Sequence, residues 1–450
     1  MTENDLKLHL SNSIRETTNI SKQLFADMGV KRGLRNEDNT GVLVGLTRIA
    51  DVIGYEKQSD GTIENIPGKL IYRGLDVEEL VNNIMEDNRL GFEETAFLLM
   101  SGSLPNEEEL KLFTDLLIKT MPLDHITTMN ILSLKGSNIM NILARSVLEL
   151  YVHDDNPDEV SRDNLIKQSI NLIAKFPTII AYAYQVLRHN RMNRSMHIRH
   201  PLGNKSVAEN FLYMMKGYDN YTELDVKTLD LSLILHAEHG GGNNSSFSVR
   251  VVSSTETDTY SAIAAGIGSL KGALHGGANI GVRKMLDSFK ENIEDWEDLQ
   301  AIDDYIERIL RKEAHDKSGL IYGIGHAVYT LSDPRTTLLK KMAKELAIEK
   351  GLENEFNFMS LIEERAIKKF MEFKGPGAKQ VCANVDFYSG FVYGMLGLPE
   401  EVYTPLFAMA RIVGWSAHRI EELNFTSKRI IRPAYKNVRE RKEFTALKDR

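Results

Sequence analysis

Apolar residues recur at helical spacing over most of this chain. In one example, Asn106 and Glu109 have the spacing of a capping box, in which each side chain bonds the backbone N–H of the other residue. Leu110, Phe113 and Leu117 follow on one helical face at i, i+3 and i+7. The pattern predicts an amphipathic surface helix that begins at Asn106 and packs one face on a core.

Two later segments predict helices in the same way. Asp333 as N-cap, Pro334 at the first helical position and Gly351 after the end delimit a helix over 333–351. Its apolar face consists of Leu338, Met342 and Leu346. Segment 294–314 places four aliphatic residues on one stripe, namely Leu299, Ile302, Ile306 and Ile309. These segments predict a mainly α protein.

The period of a β-strand, with apolar and polar residues in alternation, is confined to residues 41–74. Asp60 and Gly61 lie between the two alternating runs and form a typical hairpin turn pair. The sequence therefore predicts a small N-terminal β-hairpin as the only sheet. The first 40 residues are polar and charged, which indicates an N-terminal helix and a linker.

The length of 450 residues exceeds the roughly 250–300 at which a single core stops growing, so we expect at least two domains. With 42% hydrophobic and 26% charged residues, the composition is that of a compact folded protein. Composition shifts near 284–297 and near Asn384 indicate an inserted domain. We expect a large helical domain of residues 1–285 plus 389–450 and a small helical domain of residues 286–388.

The formal net charge of -8 argues against a general nucleic-acid binder, because such proteins need a basic footprint. The single cysteine, Cys382, excludes an intramolecular disulfide framework and a cysteine-rich zinc module. The polar start lacks the apolar region of a signal peptide, and the longest apolar runs are too short for a bilayer and contain Pro or Gly. We expect a cytoplasmic protein that is not embedded in a membrane.

The stretch "LHAEHGGGNN" places His236 and His239 three residues apart, before three glycines. A catalytic zinc normally takes three protein ligands, so a zinc site here would require His275 as the third ligand. The helical zinc-protease pattern requires two histidines at i and i+4, and the i, i+3 spacing of His236 and His239 does not fit it. The alternative is that His236 is a buried, hydrogen-bonded group that caps a turn. His239, beside the glycines, is then the better candidate for contact with a ligand.

A phosphate cradle is a second alternative for the glycines. "GGGNN" fits neither the dinucleotide-binding nor the P-loop pattern. "GIGSLKG", which begins at Gly266, has the wrong spacing and follows a helical segment. Close helix packing through small side chains is the interpretation we favour for it.

Several His, Arg and Asp residues occur in Gly-rich surroundings, where a ligand can approach the backbone closely. The segments that carry them include "HAEHGGGNNSSFSVRVVSST", "LKGALHGGAN", "GIGHAVYTLSDPR" and "NVDFYSG". Together with "KLIYRGLDVEEL" and "FEETAFLLMSGSLP", and in this order, they resemble the bacterial type of citrate synthase. The resemblance runs from about residue 41 to 435. It implies a two-domain helical fold and a homodimer.

The resemblance also implies roles for individual residues. His275 would hydrogen-bond the thioester oxygen of acetyl-CoA, Asp386 would remove the methyl proton, and His326 would polarise the ketone of oxaloacetate. The family pattern assigns the substrate carboxylates to four further residues, namely His239, Arg335, Arg411 and Arg432, the last reaching into the site of the partner subunit. It assigns no chemistry to His236.

For coenzyme A, the resemblance implicates the backbone around Ile321 to Gly325, with Ile321, Gly323, Ile324 and Gly325 as the contacts. Lys374 and Lys379 are candidate phosphate contacts, with a solvated surface run as the alternative. Neither a metal nor a tightly bound cofactor is expected, since coenzyme A enters as the thioester co-substrate.

The chemistry of these residues fits the resemblance. A thioester α-proton is a very weak acid, so its removal needs a placed carboxylate and a donor aimed at the oxygen where charge develops. Cationic side chains can hold the oxaloacetate dianion through charge-assisted hydrogen bonds. We therefore expect citrate formation from acetyl-CoA and oxaloacetate. The alternatives are a 2-methylcitrate synthase that uses propionyl-CoA, a zinc-dependent hydrolase and a non-catalytic carboxylate-binding regulator.

Overall fold

The structure is a computed structural model that describes residues 1–36, 38, 40–60 and 62–449. The chain divides into two compact units, residues 1–46 and residues 47–450. This division sets apart the N-terminal segment and does not test the expected small domain of residues 286–388. Eighteen α-helices and three β-strands occur within the described residues, so the expectation of a mainly α fold is confirmed.

The first unit contains two short helices. The first begins with a capping box between Thr2 and Asp5, and none of its residues is buried. The expectation of an N-terminal helix is therefore confirmed. The two helices are α1 (Glu3–Thr17) and α2 (Lys22–Asp27).

The second unit contains the sheet and sixteen helices within its described residues. The strands are β1 (Ala50–Lys57), β2 (Ile63–Tyr72) and β3 (Leu75–Asp76). The helices are α3 (Val77–Glu86), α4 (Phe92–Ser101), α5 (Glu107–Thr120), α6 (His125–Ser133), α7 (Ile139–Leu150), α8 (Arg162–Met192), α9 (Val207–Lys216), α10 (Glu223–His236), α11 (Asn244–Ser253), α12 (Thr259–Leu270), α13 (Ala278–Asn292), α14 (Leu299–Leu310), α15 (Pro334–Glu349), α16 (Glu353–Lys374), α17 (Asp386–Met395) and α18 (Tyr403–Leu423).

The predicted hairpin is formed by β1 and β2, which pair antiparallel from Ala50 opposite Tyr72 to Lys57 opposite Ile63. Asp60 Oδ1 accepts hydrogen bonds from the backbone amide and the hydroxyl of Thr62, at 2.8 and 2.6 Å. These bonds help to close the turn. Gly61, the other residue of the predicted turn pair, lies outside the described residues.

Two glycines let the hairpin approach the loop that precedes α15. A Cβ at Gly68 would lie 2.2 Å from the Ser332 carbonyl oxygen, and one at Gly54 would lie 2.6 Å from the Val328 carbonyl oxygen. Both contacts are with backbone, which cannot move aside easily. The sheet therefore supports the loop that carries the "GIGHAVYTLSDPR" residues.

The capping signals in the sequence correspond to observed helix starts. Asn106 and Glu109 form both bonds of the capping box at the start of α5. Asp333 caps α15 by accepting from the Arg335 amide, and Pro334 is the first helical residue. The prediction for α14 was wrong at one position, because Leu299 is exposed whereas Ile302, Ile306 and Ile309 are buried. Leu299 is the first residue of α14 after the Asp298 cap, and the buried residues of this helix begin only at Ile302.

Helix α8 is the core helix of the second unit. It is the one helix in the described part of the chain that is long and apolar enough to cross a membrane, but 78% of its apolar window is buried inside the protein. It packs against α5, α6, α7, α9 and α18. Burial of this kind is typical of the central helix of a globular fold.

The small-residue segment that begins at Gly266 lies in α12. A Cβ at Gly266 would lie 2.7 Å from Val249 Cγ2 of α11 and 3.3 Å from the Trp415 ring of α18. The interpretation of this segment as a site of close helix packing is therefore confirmed. It places α11, α12 and α18 in direct contact beneath the Gly-rich turn that joins α10 to α11.

Candidate active site

Three aromatic rings from two loops meet at the centre of the site. His239 follows α10, and its ring lies edge-on to His326 with the ring centroids 5.1 Å apart. The ring of Tyr329 stacks on the ring of His326, with the centroids 4.7 Å apart. The structure therefore joins the "HAEHGGG" turn to the "GIGHAVY" loop, although about 90 residues separate them in the sequence.

The backbone around His326 determines the orientation of its ring. The Nδ1 atom accepts hydrogen bonds from the amides of Val328 and Tyr329, both at 3.1 Å. An acceptor nitrogen carries no proton, so the proton of the neutral ring resides on Nε2. The residue can thus donate a hydrogen bond from Nε2, which is the function that polarisation of a ketone requires.

Asp386 is connected to the His326 loop by backbone pairing. Ile324 and Ala383 form an isolated antiparallel bridge, and the Gly325 amide donates to the Cys382 carbonyl at 2.8 Å. The amide of Asp386, the first residue of α17, donates to the Asn384 side chain, which in turn bonds the same loop. This pairing brings the carboxylate segment to the histidine loop.

The environment of Asp386 is suited to a base. Burial raises the pKa of the Asp386 carboxyl to about 6, against the opposing effect of the positive charges of Arg335 and Arg411. A carboxylate whose pKa lies slightly below neutrality is deprotonated at physiological pH and is a stronger base than an ordinary carboxylate. Arg335 and Arg411 therefore lie close enough to Asp386 for their charges to oppose the effect of burial on its pKa.

Arg411 is fully buried and has spare hydrogen-bonding capacity. Its Nε donates to the His236 carbonyl at 2.8 Å, whereas Nη1 and Nη2 have no partner among the described residues. Burial lowers the pKa of Arg411 to about 10, and nearby Glu238 opposes the shift. Two buried donors without partners on a cationic group are the arrangement expected of an anion site.

Arg335 is held by its own helix cap. Its Nε and Nη2 donate to the two carboxylate oxygens of Asp333 at 3.0 and 2.7 Å. Burial alone would lower the pKa of Arg335, but the Asp333 carboxylate outweighs burial and raises it. Neither Nη1 nor the second N–H of Nη2 bonds Asp333, so Asp333 orients Arg335 without occupying its whole guanidinium group.

His275 is anchored through Ser245, the second residue of α11. The Ser245 hydroxyl lies 3.1 Å from His275 Nε2 and accepts from the Trp415 indole N–H at 3.1 Å. Its single proton can go to His275 or to Asn243, whose oxygen is 3.0 Å away. Burial lowers the pKa of His275 to about 4, so the ring is neutral at physiological pH.

His239 is neutral as well. Burial and the charge of Arg335 lower the pKa of His239 well below its ordinary value, and His326 and Arg411 add to the shift. The Nε2 atom is buried and has no partner among the described residues. His239 therefore lies close enough to the two arginines and to His326 for their charges to lower its pKa.

His236 differs from its prediction. It is completely buried, as expected, but neither ring nitrogen has a partner in the described part of the chain, so it does not cap a turn through its side chain. Its ring stacks on Phe407 with the centroids 4.3 Å apart. The residue contributes its backbone carbonyl, which orients Arg411.

Arg432 lies apart from this cluster. It is exposed in the C-terminal segment that follows α18, and no hydrogen bond or ion pair joins it to the cluster within the described residues. The amide of the preceding residue, Ile431, donates to Ser254 at 3.0 Å. Its predicted role in a partner's site remains a prediction.

The predicted coenzyme A contacts fall into two groups. Ile321, Gly323, Ile324 and Gly325 form the loop that pairs with 382–384, and Gly323 and Gly325 have φ values of +78° and +98°. A Cβ at Gly323 would lie 2.9 Å from the Phe387 backbone. Lys374 ends α16 and Lys379 lies in the next loop, both exposed.

The sequence did not single out every residue that shapes the site. It missed Ser245, Glu238, Arg250, His418 and Trp415, and it treated Asp333 only as a helix cap. Ser245 and Arg250 lie within the quoted motif "HAEHGGGNNSSFSVRVVSST", so their position was a usable signal. The α18 residues gave none, because a buried His or Trp in an apolar helix is usually structural.

The metal alternative concerns three histidines, His236, His239 and His275. Among the residues that the structure describes, no three His, Cys, Asp or Glu side chains come together as a group that could hold a metal ion. The three histidines of the zinc hypothesis instead contact Ser245, the His326 and Tyr329 rings, and Phe407.

Comparison with known proteins decides the family. The family model described as "Citrate synthase, C-terminal domain" matches residues 38–434, most of the chain. The chain belongs to the citrate synthase family. The citrate synthase of Haloferax volcanii is 32% identical over 427 residues, which cover 94% of this chain and 99% of that protein. The 2-methylcitrate synthase 1 of Corynebacterium glutamicum is 34% identical over 426 residues, which cover 93% of this chain and 98% of that protein.

Solved structures of citrate synthases share the fold. The Pyrobaculum aerophilum citrate synthase superimposes with a TM-score of 0.73 at 29% identity, covering 91% of this chain and 94% of that one. The Thermoplasma acidophilum citrate synthase, solved in a ternary complex with carboxymethyl coenzyme A and oxaloacetate, gives 0.74 at 26%, covering 93% and 99%. The chain is therefore an enzyme of the citrate synthase type.

Proposed function

We propose that this enzyme condenses acetyl-CoA with oxaloacetate and hydrolyses the resulting citryl-CoA to citrate and coenzyme A. One observation carries the proposal: a carboxyl with a raised pKa, Asp386, shares its surroundings with a buried guanidinium, Arg411, whose two terminal nitrogens have no partner in the described chain. A base beside an anion site is what deprotonation of a thioester next to a dicarboxylate requires.

The proposed steps use the residues that the family resemblance assigns to the reaction. Asp386 takes a proton from the methyl group of acetyl-CoA, and His275 donates to the thioester oxygen, where negative charge develops. The resulting enol or enolate carbon attacks the ketone carbon of oxaloacetate, and His326 protonates the alkoxide that forms. Water then cleaves the thioester, which yields citrate and the free thiol. His239, Arg335 and Arg411 hold the carboxylates.

The remaining parts of the proposal concern assembly and binding. A homodimer in which the exposed Arg432 reaches the neighbouring site would supply a further cation. Closure of a small domain, residues 286–388, over the cleft would exclude water until condensation has occurred. The loop from Ile321 to Gly325, with Lys374 and Lys379, would bind coenzyme A. The cytoplasm, and the tricarboxylic acid cycle, are the setting we propose.

The second candidate is 2-methylcitrate synthesis from propionyl-CoA. It is favoured by the presence of 2-methylcitrate synthases among relatives that cover most of the chain. One methylene changes binding by only about 1–3 kcal/mol, so discrimination between the two acyl groups need not be large. Both candidates use the same catalytic residues.

Release of free thiol from each acyl-CoA in the presence of oxaloacetate tests the proposal. We expect a higher kcat/KM with acetyl-CoA than with propionyl-CoA, and no release without oxaloacetate. A reversed preference would support the second candidate. Absence of turnover with both thioesters, from protein that still binds oxaloacetate, would support a carboxylate-binding regulator.

The pH dependence provides a separate prediction. The kcat/KM for the acyl-CoA should fall about tenfold per pH unit below about pH 6, because protonated Asp386 cannot act as a base. The sign follows from the raised pKa of Asp386, since the active, deprotonated form exists above about 6. His275, with a pKa lowered to about 4, cannot produce this limb. Initial rates from pH 4.5 to 8.5 measure it, and a kcat/KM that stays constant from pH 7 down to pH 5 would contradict the assignment.

A further inference from the structure

Behind the Gly-rich turn, three side chains from three segments form a continuous buried chain of hydrogen bonds. Arg250 of α11 donates to Nδ1 of His418 of α18 from Nε at 3.1 Å and from Nη2 at 2.7 Å. His418 Nε2 lies 2.8 Å from an oxygen of Glu238, the residue directly before His239. Glu238 and His418 are completely buried, and Arg250 is nearly so.

The direction of the protons in this chain is determined by chemistry. A guanidinium can only donate, so His418 Nδ1 must accept and its proton must be on Nε2. Nε2 therefore donates to the Glu238 carboxylate. Arg250 is fixed in turn by Glu421 and by Glu422, the latter at 2.8 Å, so its orientation does not depend on His418 alone.

Glu238 is also held through its backbone. The Tyr72 hydroxyl accepts from the Glu238 amide at 3.3 Å and lies 3.0 Å from its carbonyl oxygen. Gly414 of α18 passes so close that a Cβ there would lie 2.0 Å from Glu238 Oε2. The residue before His239 is thus fixed at its main chain by the sheet and at its side chain by α18.

The same carboxylate affects the substrate arginine. Glu238 is the largest influence that opposes the fall in the pKa of Arg411, and Arg411 in turn helps to lower the pKa of Glu238 against burial. The second carboxylate oxygen, Oε2, has no hydrogen-bond partner in the described chain. Glu238 is therefore linked to both groups that we assign to the dicarboxylate. It directly precedes His239 in the chain, and its charge acts on Arg411.

We propose that Glu238, His418 and Arg250 are positioning residues, which fix the His239 turn against α18 and thereby set the affinity of the site for the dicarboxylate. None of the three needs to touch the substrate. The proposal rests on the proposed function, since it assumes that His239 and Arg411 hold a dicarboxylate. It predicts that breaks in this chain weaken oxaloacetate binding more than they alter the chemical step.

The test compares oxaloacetate binding by calorimetry in the full-length protein and two variants. His418→Phe keeps a planar aromatic ring, somewhat larger than imidazole, and removes all three hydrogen bonds. It should raise the oxaloacetate Kd about tenfold or more, because misplacement of a binding group by about 1 Å can cost about 10²-fold. Glu238→Gln keeps an acceptor for His418 and removes the charge, and its Kd should rise about fivefold by the same reasoning.

The sign of the Glu238→Gln effect separates positioning from simple electrostatics. Removal of a negative charge beside a dianion site would by Coulomb's law tighten binding. Weaker binding therefore reports a loss of position. Should His418→Phe fail to fold, Glu238→Gln decides the question alone, and a Kd that is unchanged or lower in the folded variant overturns the proposal.

Arg419 supplies the matched control. It is equally buried on α18, but it donates to Ser253, Thr257 and Thr259 rather than to the Glu238 chain. Arg419→Gln should lower the melting temperature and leave the oxaloacetate Kd close to that of the wild type. An equal rise in Kd in this variant would mean that any disturbance of α18 suffices, which overturns the inference. Failure of the wild type itself to bind oxaloacetate would instead overturn the proposed function, and this inference with it.

Discussion

Asp386→Asn is expected to lower kcat by about 10²–10⁴-fold, the usual contribution of a positioned base. The amide has nearly the same shape but cannot accept the methyl proton. The Asp386 backbone amide, which donates to Asn384, is unaffected, so the start of α17 should be preserved. Steady-state rates with acetyl-CoA and oxaloacetate measure the loss, and calorimetry should show that oxaloacetate still binds.

Asp304→Asn is a suitable control for this variant. Asp304 is an exposed residue of α14 whose carboxylate accepts from Gln300, and the same substitution there should leave the rate unchanged. Retention of full activity by Asp386→Asn would remove the base from the proposed mechanism, whatever the behaviour of the histidines.

Arg411→Leu is expected to weaken oxaloacetate binding by about 10²–10⁴-fold. Nη1 and Nη2 have no partner in the described chain, so both are available to a carboxylate. Two hydrogen bonds to a charged group, at about 1.5–3 kcal/mol each, account for that range. The KM for oxaloacetate should rise accordingly, and its Kd should be measured by calorimetry.

The stability of the Arg411→Leu variant provides the check on this interpretation. In the free enzyme Arg411 is a buried cation with one hydrogen bond to the protein, so its replacement by an apolar residue should cost little stability. Arg419→Leu removes an arginine with three such bonds and should lower the melting temperature more. An unaltered oxaloacetate affinity in Arg411→Leu would show that the anion binds elsewhere.

Much of the fold could be predicted from local signals. The starts of α5 and α15 depend on cap residues within three positions of the first turn, and the hairpin depends on alternation and a short turn. These are short-range interactions that the sequence states directly. The prediction that Leu299 packs on the core was wrong, because the helical period does not indicate where along a helix the contact with the core begins.

The site could be predicted only as a set of residue types. The motifs that resemble the family contain His239, His275, His326 and Asp386, but spacing alone could not show that the backbone at 323–325 pairs with 382–384. The burial that raises the pKa of Asp386 and lowers that of His275 is a property of packing between distant segments. His236 looked like a capping group for the same reason, since its stacking on Phe407 joins residues 171 positions apart.

The single cysteine has a practical consequence for measurements on this enzyme. Cys382 is only 5% exposed, and burial raises the pKa of its thiol to about 12, so almost no thiolate exists at neutral pH. Disulfide reagents of the colorimetric kind react with thiolate, and they should therefore leave the folded protein unmodified. The signal from such a reagent then reports liberated coenzyme A alone, and a slow rise in its background would mark unfolding of the enzyme.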